Sequence, residues 1–274
     1  WLILNVWGRA PSPVHAERSS AGTNLPGSGK IAIIAALERE VRPLVKHWHI
    51  ATRQFDGRQF KFFQRDRAVL ICGGIGAEAA RRAAEAIISL YHPVLIQSAG
   101  FAGALDSTLK MGNIFIPGCV IDASDGSKLD IGSGMGTLLS APTVAGSAQK
   151  AKFASAYGAN AIDMEAAAVG RVAQAHGIQF QAAKAISDEH DFDLPPMQSF
   201  VSPDGRFRSI PFALFVALRP WLWIKVARLA KNSAEASRAL CEWLNHQNDN
   251  SEKLDNSGRG SHPIGMERPQ SRVR

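Results

Sequence analysis

Cysteine is scarce in this chain. Its 274 residues carry three, Cys72, Cys119 and Cys241, far apart and without a C-x-x-C spacing, which excludes a disulfide framework and a zinc site of the usual spacing. A reducing cytoplasm is the compartment expected from such usage. Long apolar runs are missing too: stretches such as 210–218 fall well short of the roughly 18 to 20 residues that a spanning helix needs, so no transmembrane segment is expected. No internal repeat is visible. What is present is a 46% hydrophobic content, enough at this length for a sizeable core in one large α/β domain or two small ones, and too much for disorder throughout.

The formal charge of +7 is unevenly spread. Residues 205–245 hold seven Lys or Arg against two acids, Glu235 and Glu242. Phe212, Phe215, Trp221 and Trp223 lie in the same segment. A basic stretch interleaved with large apolar side chains suits a membrane surface, contacted through 211–231, better than a nucleic-acid duplex. No nucleic acid partner is expected.

Along the chain, residues 1–29, rich in Pro, Ser, Gly and Asn from position 8 onward, lack an apolar period and are expected to form a flexible leader. The folded part is expected over 30–245. Residues 31–36 form a continuous apolar run of strand length, the pattern of a strand buried on both faces, and 38–47 read as a helix. Residues 67–72 repeat the pattern and end in Gly73-Gly74-Ile75-Gly76, followed by an Ala-rich helix to about Leu90 and a buried strand at 94–98. Strand, glycine turn, helix and strand make a βαβ unit. Beyond it the sequence predicts a second glycine turn over Ala99-Gly100-Phe101-Ala102-Gly103, a strand over 113–120 and a surface loop over 121–136. A helix over 161–176 and a strand over 180–186 follow. The acidic stretch Ser187-Asp188-Glu189-His190-Asp191-Phe192-Asp193 stands at the C-terminal end of that strand, where open α/β sheets hold their ligands. Residues 211–245 read as a long helical stretch that Pro220 kinks or splits, and 246–274 as a disordered polar tail.

Two glycine motifs are decoys. Gly27-Ser28-Gly29-Lys30 lacks the first glycine of a P-loop, has Ile31 where a magnesium-binding hydroxyl belongs, and precedes its strand instead of following it. Gly74-Ile75-Gly76-Ala77-Glu78-Ala79 does follow a strand and open a helix, but the next strand closes with Gln97-Ser98. A dinucleotide ribose would find no carboxylate there, which counts against an NAD-linked dehydrogenase. The glycine turn then reads either as a packing turn or as a cradle of N–H groups for an anion or hydroxyl.

Three further segments carry carboxylates at or near strand ends: Ile33-Ile34-Ala35-Ala36-Leu37-Glu38-Arg39-Glu40-Val41, Ala161-Ile162-Asp163-Met164-Glu165-Ala166, and Lys184-Ala185-Ile186-Ser187-Asp188. Taken in order with the two glycine turns, they resemble the purine nucleoside phosphorylase and 5′-methylthioadenosine/S-adenosylhomocysteine nucleosidase superfamily over roughly residues 30–191. The resemblance implies a single α/β domain with a central mixed twisted sheet flanked by helices, here with a C-terminal amphipathic helical segment, and an enzyme that is a homo-oligomer. It implies that Glu40 activates the attacking water, that Glu165 grips the ribose hydroxyls, and that Asp188 protonates the purine. Met164, Asp163, Gly74, Gly76, Ser98, Ala99, Gly100, Phe101 and Ser187 are the other residues it places at the substrate. These roles suit the chemistry, since an oxocarbenium-like transition state needs a protonated leaving group and nearby negative charge. An acid in the role of Asp188 needs a raised pKa, from desolvation or from the neighbouring Glu189 and Asp191. Each residue also has a plainer reading: Glu40 as a solvated first-turn acid, Asp188 as a helix cap. Glu165, set among Met164 and three alanines, needs a partner or a ligand in any case.

The short stretch between Val120 and Asp163, Phe101 in place of a small polar residue and Val144 in place of a base-stacking aromatic depart from the methylthioadenosine nucleosidases. The short middle and the segment Ala217-Leu218-Arg219-Pro220-Trp221-Leu222-Trp223 resemble the hopanoid-associated phosphorylase branch, whose members are thought to release adenine from adenosylhopane. That likeness implies a lipid-linked adenine nucleoside as substrate, at the inner face of the membrane. The soluble methylthioadenosine/adenosylhomocysteine nucleosidase is the alternative, and a non-catalytic nucleoside-binding or membrane-docking protein is the alternative of another class. The acceptor stays open: the amides of 73–76, the Ser98 hydroxyl, Arg39 and Arg81 are available to phosphate as a co-substrate, while a carboxylate at Glu40 repels it. No other cofactor is expected, and His190 among irregularly spaced acids makes no metal site.

Overall fold

A computed structural model describes residues 29–258 other than 133, 194–196 and 203, with side chains as far as 248. The expected leader falls outside the described residues except for Gly29, as do 259–274.

The apolar runs become the centre of a mixed sheet. Strand β1 (Ile31–Ala35) pairs in parallel with β4 (Ala68–Cys72) on one side and with β5 (Leu95–Ala104) on the other. Its side chains alternate between two apolar layers. Ala32 and Ile34 join Val69, Ile71, Ile87 and Ile96 under helices α2 (Ala77–Tyr91) and α4 (Ala166–Ala175). Ile33 and Ala35 join Leu70, Val41 and Leu44 with Leu240 and Leu244 from the opposite layer. That second layer is α1 (Glu38–Val45) packed on α6 (Pro220–Gly258). The sheet is therefore buried on both faces, as continuous apolar runs require.

Outward from β1 and β4 lies a hairpin that the sequence reading missed, β2 (His49–Phe55) and β3 (Arg58–Arg65). Its turn is Asp56-Gly57, both at positive φ (47° and 71°), the backbone a two-residue hairpin loop needs. On the other side of β5 stand β10 (Ala161–Asp163), β9 (Thr137–Ser140), β7 (Cys119–Asp122) and β8 (Lys128–Asp130), while β11 (Gln179–Asp188) pairs in parallel with β5 and antiparallel with β6 (Ile114–Phe115). Helix α3 (Ser147–Tyr157) connects β9 to β10.

Several expectations are corrected here. Residues 99–103 are not a turn but the second half of β5, held by pairing with β11. The strand expected over 113–120 is two strands, β6 and β7, separated by Ile116-Pro117-Gly118, and the loop expected over 121–136 contains β8. The helix expected from 161 begins only at Ala166, because Ala161–Asp163 pairs with β9 and β5 as β10. Pro220 does split the C-terminal stretch, into α5 (Ser209–Ala217) and α6, since a proline fits a first helical turn and not an interior one. The amphipathic pattern belongs to α6, which buries Ala236, Leu240, Cys241 and Leu244; α5 is apolar on all sides and buries none of its residues. Helix α6 continues to Gly258, so the boundary expected at 245 falls inside it.

Candidate active site

Three carboxylates, Glu40 and Asp188 buried and Glu165 half-buried, reach one cavity from three different strand ends. The first is Glu40, in the opening turn of α1 just beyond β1. Its neighbour Glu38 points outward to Lys61, at 2.9 Å. Glu40 points inward with Val41 and Leu44, because α1 must bury that face against the sheet and α6. Oxygen Oε2 of Glu40 has no hydrogen-bond partner among the described residues, and it lies 3.1 Å from where a Cβ on Gly100 would stand. Burial pushes its pKa up to about 7, against the opposing pull of the Leu37 backbone and Lys184. A side chain that is half-protonated near neutral pH and unpartnered on one oxygen can take a proton from water.

The second carboxylate, Glu165, is the residue that starts α4. Gly76 N–H donates to its Oε1 at 2.8 Å and Met164 N–H to its Oε2 at 3.2 Å. Burial, then repulsion from Asp163, raises its pKa to about 7 as well. Asp163 itself is tied up: Ser140 Oγ donates to Oδ1 at 2.5 Å, Ala166 N–H to Oδ2 at 2.9 Å, and Lys184 Nζ sits 2.8 Å from Oδ2. Lys184, on β11 and 1% exposed, also donates to Ser98 Oγ at 3.1 Å. Burial works against its charge, but Asp163 and Glu165 more than compensate and raise its pKa. A single ammonium thus balances a cluster of acids, and its role was not foreseen from sequence.

The third is Asp188, at the end of β11. The neighbours expected to act on it, Glu189 and Asp191, are not what touches its carboxylate. Lys150 of α3 forms a buried ion pair with Oδ2, and Ser187 Oγ donates to Oδ1 at 2.8 Å. Oxygen Oδ2 lies against Gly103, where a Cβ would come within 2.8 Å of it.

These groups line a cavity of about 1080 Å³ together with Ala99, Gly100, Phe101, Met164 and Ser187. Three expected residues stand off it. Ser98 is occupied by Lys184, Gly76 serves Glu165, and Gly74 lines a neighbouring cavity of about 740 Å³ instead. The glycine turn offers no anion cradle either. Gly73 N–H bonds to Ala35 O, Gly74 N–H to Ala36 O, Ile75 N–H to Gly205 O and Gly76 N–H to Glu165, so every amide of the turn is already used. Arg81 pairs with Glu78 on the exposed face of α2. Arg39 remains at the cavity, with its guanidinium 5.3 Å from the centre of the Phe207 ring. The far wall comes from the C-terminal segment, with apolar Phe212 of α5 and Val226 and Leu229 of α6 beside polar Ser233, Ser237 and Arg238. Among the described residues no group of three or more His, Cys, Asp or Glu is placed to hold a metal ion.

Comparison with known proteins matches residues 30–143 and 135–202 to the family model described as the Phosphorylase superfamily. The chain is 39% identical over 92 residues to a 5′-methylthioadenosine/S-adenosylhomocysteine nucleosidase of Buchnera aphidicola subsp. Acyrthosiphon pisum, and 33% identical over 91 residues to that of the subspecies Schizaphis graminum. Each match covers 32% of this chain and 39% of the relative, so it spans about two fifths of the curated relatives' length. Among solved structures, the chain is similar to the Helicobacter pylori 5′-methylthioadenosine/S-adenosylhomocysteine nucleosidase in complex with a substituted pyrrolidin-3-ol (TM-score 0.61, 15% identity, covering 82% of this chain and 99% of that one). It is also similar to the Streptococcus pyogenes S-adenosylhomocysteine nucleosidase in complex with 5-methylthiotubericidin (TM-score 0.59, 19% identity, covering 84% and 98%). At these identities the likeness is one of fold.

Proposed function

Because the chain belongs to the Phosphorylase superfamily, we propose that it cleaves the N-ribosidic bond of an adenine nucleoside and releases adenine. The observation that carries this reading is the meeting of Glu40, Glu165 and Asp188, the first and last of them buried, in one cavity at the strand ends. Glu40 takes a proton from the attacking water, Glu165 accepts hydrogen bonds from the ribose hydroxyls, and the side of the cavity bearing Asp188 receives the base. Departure of the base leaves positive charge on the sugar, which the carboxylates stabilise.

Water is the acceptor we favour over phosphate. The amides of 73–76 are all spent within the protein, and Glu40, which lines the cavity with an unpartnered oxygen, would repel phosphate when ionised. The substrate we favour is adenosylhopane, or another adenosine whose 5′ carbon carries a lipid. Phe101 and the apolar side chains of Phe212, Val226 and Leu229 in the wall from α5 and α6 support that choice. So does the outer side of those helices, which exposes Ile210, Leu214, Leu218, Trp221, Trp223 and Ile224 beside Arg219, Lys225 and Arg228. Such a surface suits the face of an anionic bilayer. No helix among the described residues is long and apolar enough to cross a membrane. The nucleosidase relatives favour a second reading, in which the substrate is 5′-methylthioadenosine or S-adenosylhomocysteine. Adenine release from adenosylhopane in vesicles and from 5′-methylthioadenosine, compared by chromatography, separates the two. A preference for the lipid of tenfold or more supports the first, the reverse preference the second, and no adenine from either refutes both.

A further inference from the structure

The second cavity, of about 740 Å³, lies between the β2–β3 hairpin, the glycine turn that follows β4 and the chain around Gly205. Its walls carry five cations, Arg39, Arg58, Lys61, Arg82 and Arg206, against two acids, Glu38 and Asp204. Both acids are engaged, Glu38 with Lys61 at 2.9 Å and Asp204 with Arg206 at 3.2 Å. Arg82 is balanced from outside the cavity, by Glu78 of α2 at 3.1 Å. Arg58 and Arg39 have no ion pair among the described residues, and Arg39 lies instead over the ring of Phe207. A hollow lined by one sign of charge concentrates the field and draws in the opposite charge. Guanidinium groups fit phosphate oxygens in particular, through paired N–H bonds.

The neighbourhood of the cavity selects among anions. Phe207, in its wall, packs on Phe212 of α5 with ring centroids 5.3 Å apart, and Ser209, the first residue of α5, lines it as well. From that point Ile210, Leu214 and Leu218 are 75%, 63% and 77% exposed. A soluble anion has no use for such an apolar surface. A phospholipid uses both, with its phosphate among cations and its chains beside aliphatic side chains.

We propose that this second cavity is a headgroup site for an anionic glycerophospholipid, whose phosphate is held by Arg58 and Arg206 with Arg39 behind them while the exposed side of α5 lies among the acyl chains. The proposal rests on the bilayer contact put forward above and deepens it, from a basic apolar surface to a built site for one class of lipid. It is separate from the nucleoside site, since Glu40, Glu165 and Asp188 all lie outside it. The two cavities adjoin, sharing Arg39, Phe207 and Ser209. A lipid bound in the smaller one therefore holds the mouth of the larger one at the bilayer, where a lipid-linked nucleoside is found.

The test is co-sedimentation of the full chain with phosphatidylcholine vesicles, with and without phosphatidylglycerol. Arg58→Gln combined with Arg206→Gln is compared with a control of equal charge loss, Lys128→Gln combined with Lys152→Gln. Lys128 stands on β8, at the opposite edge of the sheet from the hairpin, and Lys152 on α3. A cation lost beside an anionic surface costs about fivefold in binding, so the arginine variant should bind phosphatidylglycerol vesicles about 25-fold more weakly than the wild type. The control should lose no more than about threefold. Adenine release by the arginine variant from a soluble nucleoside that the wild type cleaves should stay within about twofold of the wild type, because neither arginine lines the larger cavity. Equal losses in the two variants would reduce the effect to overall charge and overturn the proposal. Unchanged vesicle binding by the arginine variant, even with weaker binding of inorganic phosphate, would overturn it in favour of a soluble anion. A wild type that sediments with neither vesicle refutes the bilayer contact along with the site. A wild type that releases no adenine refutes the adenine-nucleoside reading alone, and the vesicle comparison still decides the site.

Discussion

Replacing Glu40 by glutamine should stabilise the protein at alkaline pH while sharply lowering its turnover. Glu40 is buried, its Oε2 lacks a partner, and its pKa is raised from the ordinary 4.5 to about 7. An acid whose pKa rises on folding supports the fold below its unfolded value and withdraws that support as the pH climbs through the folded value. At about 1.4 kcal/mol per pH unit, ionising Glu40 inside the fold costs the wild type about 3 kcal/mol at pH 8. At pH 5, where the folded group is protonated and the unfolded one only partly ionised, the cost is about 1 kcal/mol. Glutamine removes the charge at both pH values, and the packing of its amide is common to both. The advantage of the variant should therefore grow by about 2 to 3 kcal/mol between pH 5 and pH 8. Urea unfolding of both proteins at the two pH values, followed by tryptophan fluorescence, reads this difference directly. Adenine release by the variant should fall by about 10²- to 10⁴-fold. A stability difference that does not change with pH would refute the raised pKa, and with it the assignment of Glu40 as a base poised near neutrality.

Two further outcomes follow from the same geometry. Lys184→Met leaves Asp163 and its neighbouring acids without their buried cation and should cost about 3 to 5 kcal/mol in urea unfolding at pH 8; a cost below about 1 kcal/mol would show that the acids do not depend on it. Trp221→Ala combined with Trp223→Ala, at positions 71% and 55% exposed, should leave stability within about 0.5 kcal/mol yet cut co-sedimentation with anionic vesicles at least tenfold, and unchanged co-sedimentation would refute the bilayer contact.

The parts of this architecture that were legible beforehand are those dictated by local chemistry. Residues 31–35 and 68–72 announce a doubly buried sheet because nothing polar interrupts them, and Gly73 to Gly76 punctuate the passage into α2. Glu40, Glu165 and Asp188 were placed through their motifs, and the fold brings them to one cavity. The hairpin β2–β3 was missed because β2 (His49–Phe55) is mostly exposed and charged residues break up the apolar positions of β3 (Arg58–Arg65), although Phe62 and Phe63 are buried and Asp56-Gly57 marks the turn. Residues 161–163 were read as helix because three alanines follow, and pairing partners distant in sequence decide otherwise. Lys150 and Lys184 carried no signal. Lysine is ordinarily a surface residue, and only the tertiary arrangement of acids around them explains their burial.

The measurement that bears most directly on the whole account is adenine release in phosphate-free buffer, from adenosylhopane in anionic vesicles, by the wild type beside Glu40→Gln. The account predicts multiple turnovers by the wild type without phosphate, and a loss of at least 100-fold in the variant. Release that requires phosphate, or that survives the loss of Glu40, would contradict water activation by a buried carboxylate.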